Sequence, residues 1–288
     1  MEYILNMGIL FCIYSILALS LNMVVGMSGL MVLAQAAFYG IGAYATALCM
    51  TQLGYGFFTT ILVGMAINGS IAYVVGKILS RFKGDYYAIV SAGLSIIVFS
   101  ALLNWKELTN GPLGIFGIAK PSIGSFAFTS NIPFLGLCAL FAGAVYAIYY
   151  SIDHSSFGRC LKAVREDEKL VTTFGYQTKN FKSIIFVLSA VLSGMAGSLF
   201  ATYIAFIDPS TFQLKEGIFL FTIIIVGGLS SAMGSVAGAV VLLSLPEILR
   251  FVGLPYETAA QFQQMIYGII LVLMTIVRPQ GLFGKYKM

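Results

Sequence analysis

The chain has 288 residues, 59% of them hydrophobic and 9% charged, with a mean hydropathy of +0.94. A soluble domain of this size lacks the interior to hide so much apolar surface, so the solvent of the fold is lipid. The formal net charge of +5 does not indicate nucleic-acid binding, because the bases sit at segment ends and in loops, where membrane orientation accounts for them.

In chain order, uncharged stretches fall at 4–25, 30–50, 57–76, 86–103, 132–152, 183–207, 217–246 and 258–277, most of them near the roughly 20 residues that span a bilayer as helix. The first has no basic leader and no small-residue cleavage site, and reads as a retained helix. Between it and the second, "VVGMSGLMVLAQAAFYGIGAY" (Val24–Tyr44) carries a Gly/Ser interruption. Lys77, Arg81 and Lys83 put the 77–85 loop in the cytoplasm by the positive-inside rule. Asp85, at the start of the next helix, reads as a residue that complements the helix dipole. The segment 104–131, with only Lys106 and Lys120 as bases, is expected outside. Trp105 reads as a membrane-belt residue and His154 as an interfacial loop residue.

In the later segments, Ala190, Gly194, Ser198 and Thr202 form a small-residue ladder at four-residue spacing, as do Ser230, Gly234 and Gly238. Such ladders let membrane helices approach closely. The last stretch must end at the basic tail of Arg278, Lys285 and Lys287, with Arg278-Pro279 as anchor and helix stop. Residues 217–250 must then leave the external side and return to it, and "VGGLSSAMGSVAG" (Val226–Gly238) supplies the break for two half-length or re-entrant helices. Two interrupted segments, one per half, point to a transport pathway. None of the eight stretches contains an Asp, Glu, Lys, Arg or His, whereas ion-coupled carriers need such groups inside the membrane. The energy for transport is therefore expected from elsewhere. Cys12, Cys49, Cys138 and Cys160 show no metal or disulfide spacing. No nucleophile–base or metal constellation indicates an enzyme.

Charge is concentrated instead in one interior stretch. Asp153–Lys182 holds ten of the 27 Asp, Glu, Lys and Arg residues. Within "SFGRCLKAVREDEKLVTTFGY" (Ser156–Tyr176), Phe157, Cys160, Leu161, Val164 and Val171 recur at helical spacing, with Gly175 as a stop. The pattern reads as a short amphipathic cytoplasmic helix, either a solvated loop helix or a handle through which a soluble partner moves the attached spans. A nucleotide-binding loop is missing: Gly76-Lys77 and Gly284-Lys285 lack both the upstream glycine and the following Ser/Thr of a phosphate loop.

Taken in order, "LNMVVGMSGLMVLAQAAFYGIGAY" (21–44), "KGDYYAIV" (83–90), "LTNGPLGI" (108–115), "SFGRCLKAVREDE" (156–168), "IDPSTF" (207–212), "GGLSSAMGSVAGA" (227–239), "LPEILR" (245–250) and "YGIILVLMTIVRPQGLFG" (267–284) cover nearly the whole chain. As a set they resemble the permease subunit of branched-chain amino acid ABC importers, on the LivM-type branch. Gln35 stands where that family commonly has a histidine, and 94–98 lack its frequent acidic residue.

The resemblance implies an all-α polytopic membrane protein of type II importer-like architecture, a single permease domain over 1–288. Its partners would be a second related permease, two cytoplasmic ATP-binding subunits carrying ATP and Mg, and an extracytoplasmic substrate-binding protein, at a bacterial inner membrane. No cofactor or metal is expected in the chain itself. The family's coupling loop maps onto 153–182, with Phe157, Gly158, Arg159, Lys162, Arg165, Glu166 and Asp167 as docking candidates. Broken helices can hold a zwitterion without fixed charge, which makes Gly26, Ser28, Gly29, Gln35, Gly227, Gly228, Ser230 and Ser231 pathway candidates, packing being the other account of them. Thr109, Asn110, Asp208 and Pro209 lie on external loops where the binding protein would land, and turn chemistry also explains them. Urea or short amides carried by the same architecture, and a stand-alone carrier or channel, are the rival functions.

Overall fold

The computed structural model describes residues 2–82, 84–123, 126–128, 130–251, 256–278 and 280–284; Lys83, Pro279, Lys285 and Lys287 lie outside the described residues. Its helices are α1 (Glu2–Ser28), α2 (Gln35–Thr51), α3 (Phe57–Leu79), α4 (Asp85–Asn104), α5 (Lys106–Thr109), α6 (Asn131–His154), α7 (Ser156–Glu166), α8 (Glu168–Thr173), α9 (Thr178–Ile204), α10 (Leu214–Gly227), α11 (Ala232–Phe251) and α12 (Tyr256–Val277). Four two-residue strands, β1 (Ile115–Phe116), β2 (Ser122–Ile123), β3 (Phe126–Ala127) and β4 (Phe206–Ile207), interrupt the connecting loops.

All eight uncharged stretches become helix. Five elements, α1, α3, α4, α6 and α9, are long and apolar enough to cross a bilayer, and α10–α11 passes the same test as a pair bent by 119°. The remaining stretches give the 17-residue α2 and the apolar part of α12, Gln264–Val277. The fold is thus the expected all-α polytopic one. The amphipathic segment is two helices rather than one, because the Asp167 carboxylate accepts from the Lys169 and Leu170 amides (2.8 and 3.1 Å) and starts a new helix there.

α1 and α9 form the centre, each with 72% of its apolar window buried, against 22–28% for α3, α4 and α6, which are left to face lipid. The packing of α9 follows its small residues. Ala190, Gly194, Ser198 and Thr202 are all buried, and α2 and α3 lie against this helix. A Cβ on Gly42 would sit 2.2 Å from the Gly194 carbonyl oxygen, so only glycine allows this α2–α9 crossing. Thr46 Oγ1 donates to Ser198 Oγ across the same contact at 2.7 Å. Tyr39 fills the space above it, edge-on to Phe212 at 5.0 Å. Gly42→Leu is therefore expected to abolish the monodisperse detergent-solubilised species on size exclusion, because the clash is with Gly194 backbone and forces the two helices apart, beyond the roughly 1–3 kcal/mol that overpacking costs where side chains can adjust. Gly143→Leu, on an exposed face with nothing within 4 Å of the added Cβ, is the control that leaves it intact.

The irregular link between α1 and α2 is held inside the bundle. The Leu33 amide donates to Ser91 Oγ (3.0 Å) and its carbonyl accepts from Ser95 Oγ (2.8 Å), both from α4. This satisfies the condition for non-helical backbone at membrane depth.

The two ends of the bundle differ in charge. At one end α7 packs against α1, α6 and α9; Lys77 and Lys179 line one cavity at helix ends, Arg81 follows the end of α3, and Lys182 pairs with Glu168. At the other, β1 pairs antiparallel with β4 (Ile115 opposite Ile207, Phe116 opposite Phe206), tying the 105–130 loop to the 205–213 loop. The first is called the basic end below.

Candidate functional site

The turn from α6 into α7 is one residue long. Ser155 caps α7, its Oγ accepting from the Gly158 amide at 3.1 Å. Leu161 and Val164 are buried, and Phe157 stacks on Phe181 of α9 with ring centroids 5.3 Å apart. The inner face of α7 is therefore packed down on the spans, and its polar residues divide by direction. Arg165, half-buried, donates from its guanidinium to the Gly26 carbonyl near the end of α1, and its stem fills the space beside Gly29. Lys162 pairs with Asp153 at 2.6 Å, and Lys182 of α9 pairs with Glu168 at 2.8 Å. Arg159 is exposed and binds back to the His154 carbonyl and Ser156 Oγ. Glu166 and Asp167 are exposed, as are Leu170, Phe174 and Tyr176, at 57, 74 and 54%. Lys169 is exposed beside them, so the predicted handle is an exposed tip, apolar with charges of both signs, on a base fixed to α1, α6 and α9.

A second cluster lies at the break between α10 and α11. Asn22 of α1, fully buried, donates from Nδ2 to the Gly228 carbonyl (3.3 Å), the Ser231 carbonyl (3.2 Å) and Ser235 Oγ (2.6 Å), while its Oδ1 accepts from the Ser230 amide (3.0 Å). One amide thus binds backbone or side chain of four residues in the broken segment. Gly26, one turn further along α1, lies where any Cβ would strike Asn22 Oδ1 and the Ser230 amide. Gly228 adopts φ +119°, a conformation other residues avoid. Residues 280–284 close the cluster, the Leu282 and Phe283 amides donating to the Val226 and Gly227 carbonyls, both at 2.9 Å. These carbonyls lie in the last turn of α10, which lacks intrahelical donors.

Of the predicted pathway residues, Gly26, Gly227, Gly228, Ser230 and Ser231 come together around Asn22. Gln35 does not join them. It is 2% exposed and belongs to a separate interior knot, donating to Ser20 Oγ (2.6 Å) and accepting from Ser189 Oγ (3.3 Å). Ser28 is buried and donates to its own helix, at the Val24 carbonyl (2.7 Å). Gly29 is exposed next to Arg165, with φ +70°.

At the far end the four loop residues are neighbours through the β1–β4 pairing, in different environments. Thr109 is buried, its Oγ1 donating to the Leu102 and Trp105 carbonyls, and Pro209 is buried too. Asn110 is exposed in a left-handed conformation, and Asp208 is half-buried, accepting from Ser210 Oγ and Thr211 Oγ1. Leu113 and Phe116 beside them are 75 and 67% exposed.

Against known proteins, residues 3–275 match the family model described as branched-chain amino acid transport system, permease component. The chain belongs to that family. It is 33% identical to the high-affinity branched-chain amino acid transport system permease protein LivM of Salmonella typhimurium over 94% of this chain and 67% of that protein. It is 25% identical to the corresponding LivH protein of Escherichia coli K12, over 94% of this chain and 91% of that one. With the probable branched-chain amino acid transport permease protein LivM of Methanocaldococcus jannaschii it shares 27% identity over 96% of this chain and 91% of that protein. The relatives are transport permease components, and the apolar spans make this member a multi-pass membrane protein.

Within this permease, sequence reasoning missed Asn22, the exposed apolar tip and one carboxylate. Asn22 stood in plain view as an amide inside an otherwise apolar helix. Glu216 falls one residue before the uncharged stretch 217–246, yet it sits in the first turn of α10 and accepts from the Tyr14 hydroxyl halfway along α1 (2.7 Å). The expectation that no ionisable group enters the membrane is corrected by this contact. The uncharged stretch begins at residue 217 by definition, whereas the helix starts at Leu214.

Proposed function

We propose that the chain is one permease subunit of an ATP-driven importer that moves branched-chain amino acids across a bacterial cytoplasmic membrane. The basic end faces the cytoplasm, in keeping with the positive-inside rule, and the β1–β4 end receives an extracytoplasmic binding protein. A second related permease completes the pathway, and two ATP-binding subunits supply ATP and Mg. One observation carries the reading beyond family membership. α7, α8 and the turn that follows offer an exposed tip of Leu170, Phe174 and Tyr176 flanked by Glu166, Asp167 and Lys169, while Arg165 fixes the inner face of α7 to α1. An exposed apolar patch rimmed by charge is the form of a protein contact. Its attachment to α1, which also holds the α10–α11 break through Asn22, gives a route from a soluble engine to the pathway.

Purified with its partners and reconstituted in proteoliposomes, the complex should take up leucine only with ATP and the binding protein present. Uphill leucine accumulation by this chain alone, or ATP-driven uptake of urea with none of leucine, would overturn the reading. Leu170→Ala with Phe174→Ala should reduce co-purification of the ATPase subunits at least about tenfold, the scale expected when two large apolar side chains leave an interface. Membrane insertion of that variant should be unchanged.

A further inference from the structure

A cavity of about 530 Å³ opens between α1, α10, α11 and α12, within the size range of small-molecule sites. Tyr14, Lys215, Glu216, Phe219, Leu243 and Leu271 are among its walls. Tyr14 lies 14 residues before the end of α1, about 21 Å at the helical rise, and so places Glu216 well inside the bundle. Among the described residues the Glu216 carboxylate has one hydrogen-bond partner, Tyr14, and no ion pair. An ionisable group at such depth is costly, and persists where something pairs with it. Lys215 lines the same cavity, and the rest of the wall is mostly aliphatic and aromatic.

An acid, a base and an apolar wall in one cavity match three parts of a single ligand. We propose that this cavity is a binding site for a zwitterionic amino acid with a branched aliphatic side chain. Glu216, held by the Tyr14 hydroxyl, takes the ammonium group. Lys215 takes the carboxylate, and Phe219, Leu243 and Leu271 enclose the side chain. The proposal rests on the importer reading and narrows it, because urea and amides carry no charge for Glu216 to pair. It also moves substrate recognition away from the glycine break, which is filled by Asn22 and its partners.

The test uses the complete transporter with the four native cysteines replaced by alanine and a reporter, Gln264→Cys, on the cavity wall. Labelling of the reporter by a maleimide is followed with and without ligand. Leucine should protect it, while 4-methylpentanoate and isopentylamine, each lacking one charged group, should need at least about tenfold higher concentration, the scale of one charge-assisted hydrogen bond. Glu216→Gln should remove leucine protection, and Tyr14→Phe should weaken it. Absence of protection by leucine, or protection unaltered in Glu216→Gln, overturns the site even where ATP-driven leucine uptake by the parent transporter upholds the importer reading. Failure of that uptake with protection intact overturns the importer reading instead. Loss of the partner permease from Glu216→Gln during purification would mean that a basic side chain of that subunit occupies the cavity, and would equally overturn the site; Tyr14→Phe, which removes a single hydroxyl, then reports on an assembled complex.

Discussion

Arg165→Glu is expected to leave the ATPase subunits attached to the permease and to abolish leucine uptake, whereas Glu166→Lys, its neighbour in sequence, is expected to detach them. The two residues differ in what they face. Glu166 is exposed next to the apolar tip, so reversing its charge puts a repulsive element into the contact with the soluble partner. Arg165 is half-buried and turned inward, its guanidinium on the Gly26 carbonyl and its stem against Gly29. A glutamate there cannot donate to that carbonyl and sets a carboxylate against the C-terminal end of α1, where the helix dipole is already negative. The handle then loses its grip on α1 while keeping its outer surface. Co-purification of ATPase with each variant, together with ATP hydrolysis and leucine uptake in proteoliposomes, separates the two outcomes. ATPase loss from both variants would show that the tip binds as a single charged surface and that the inward contact transmits nothing. Arg165→Lys, which keeps one donor and the stem, should recover part of the uptake.

Much of the fold was legible because lipid enforces a simple pattern. Runs without charge had to become largely helix, and all eight did, including 217–246, whose return to its own side required a break. The glycines and serines at Val226–Gly238 marked that break because so few other residues tolerate the turn, as φ +119° at Gly228 bears out. The amphipathic handle was legible for the same reason in reverse, a helical repeat of apolar residues amid charge. What sequence could not resolve is direction. Periodicity placed Arg165 and Glu166 on one short helix, but which points at α1 depends on how α7 docks through Phe157, Leu161 and Val164. Gln35 was prominent as a pathway candidate inside an uncharged stretch, yet two helical serines, Ser20 and Ser189, are its hydrogen-bond partners. Nothing local distinguishes Gln35 from Asn22, whose partners lie more than 200 positions away. Such pairings follow from helix packing, and one chain's sequence does not encode them locally.

Asn22→Leu is expected to produce the Arg165→Glu phenotype, retained ATPase subunits and ATP hydrolysis with uptake lost, at a modest cost in stability. The leucine has the same branched outline, with bulkier methyl ends, and no hydrogen bonds, so the Ser230 amide and the Gly228 carbonyl lose their partner. Hydrogen bonds between membrane helices are worth about 0.6 kcal/mol each on average and up to about 1.7. The Ser231 carbonyl keeps the Ser235 hydroxyl and amide as donors. The total loss is therefore on the order of 1–3 kcal/mol, too little to unfold a bundle whose close α2–α9 crossing is left untouched. Function should suffer more, because those bonds fix where the two half-helices separate. If α1 carries the motion of α7 to the break, Arg165 and Asn22 act on one path, and the double variant should be no worse than either single one. A folding defect predicts otherwise: lower yield, lower melting temperature, and losses of hydrolysis and uptake in parallel that add in the double variant. Size-exclusion yield, melting temperature and the ratio of leucine imported to ATP hydrolysed decide between them. A near-normal ratio in Asn22→Leu, with both activities reduced together, would reduce Asn22 to a packing residue and leave the handle without a route to the pathway.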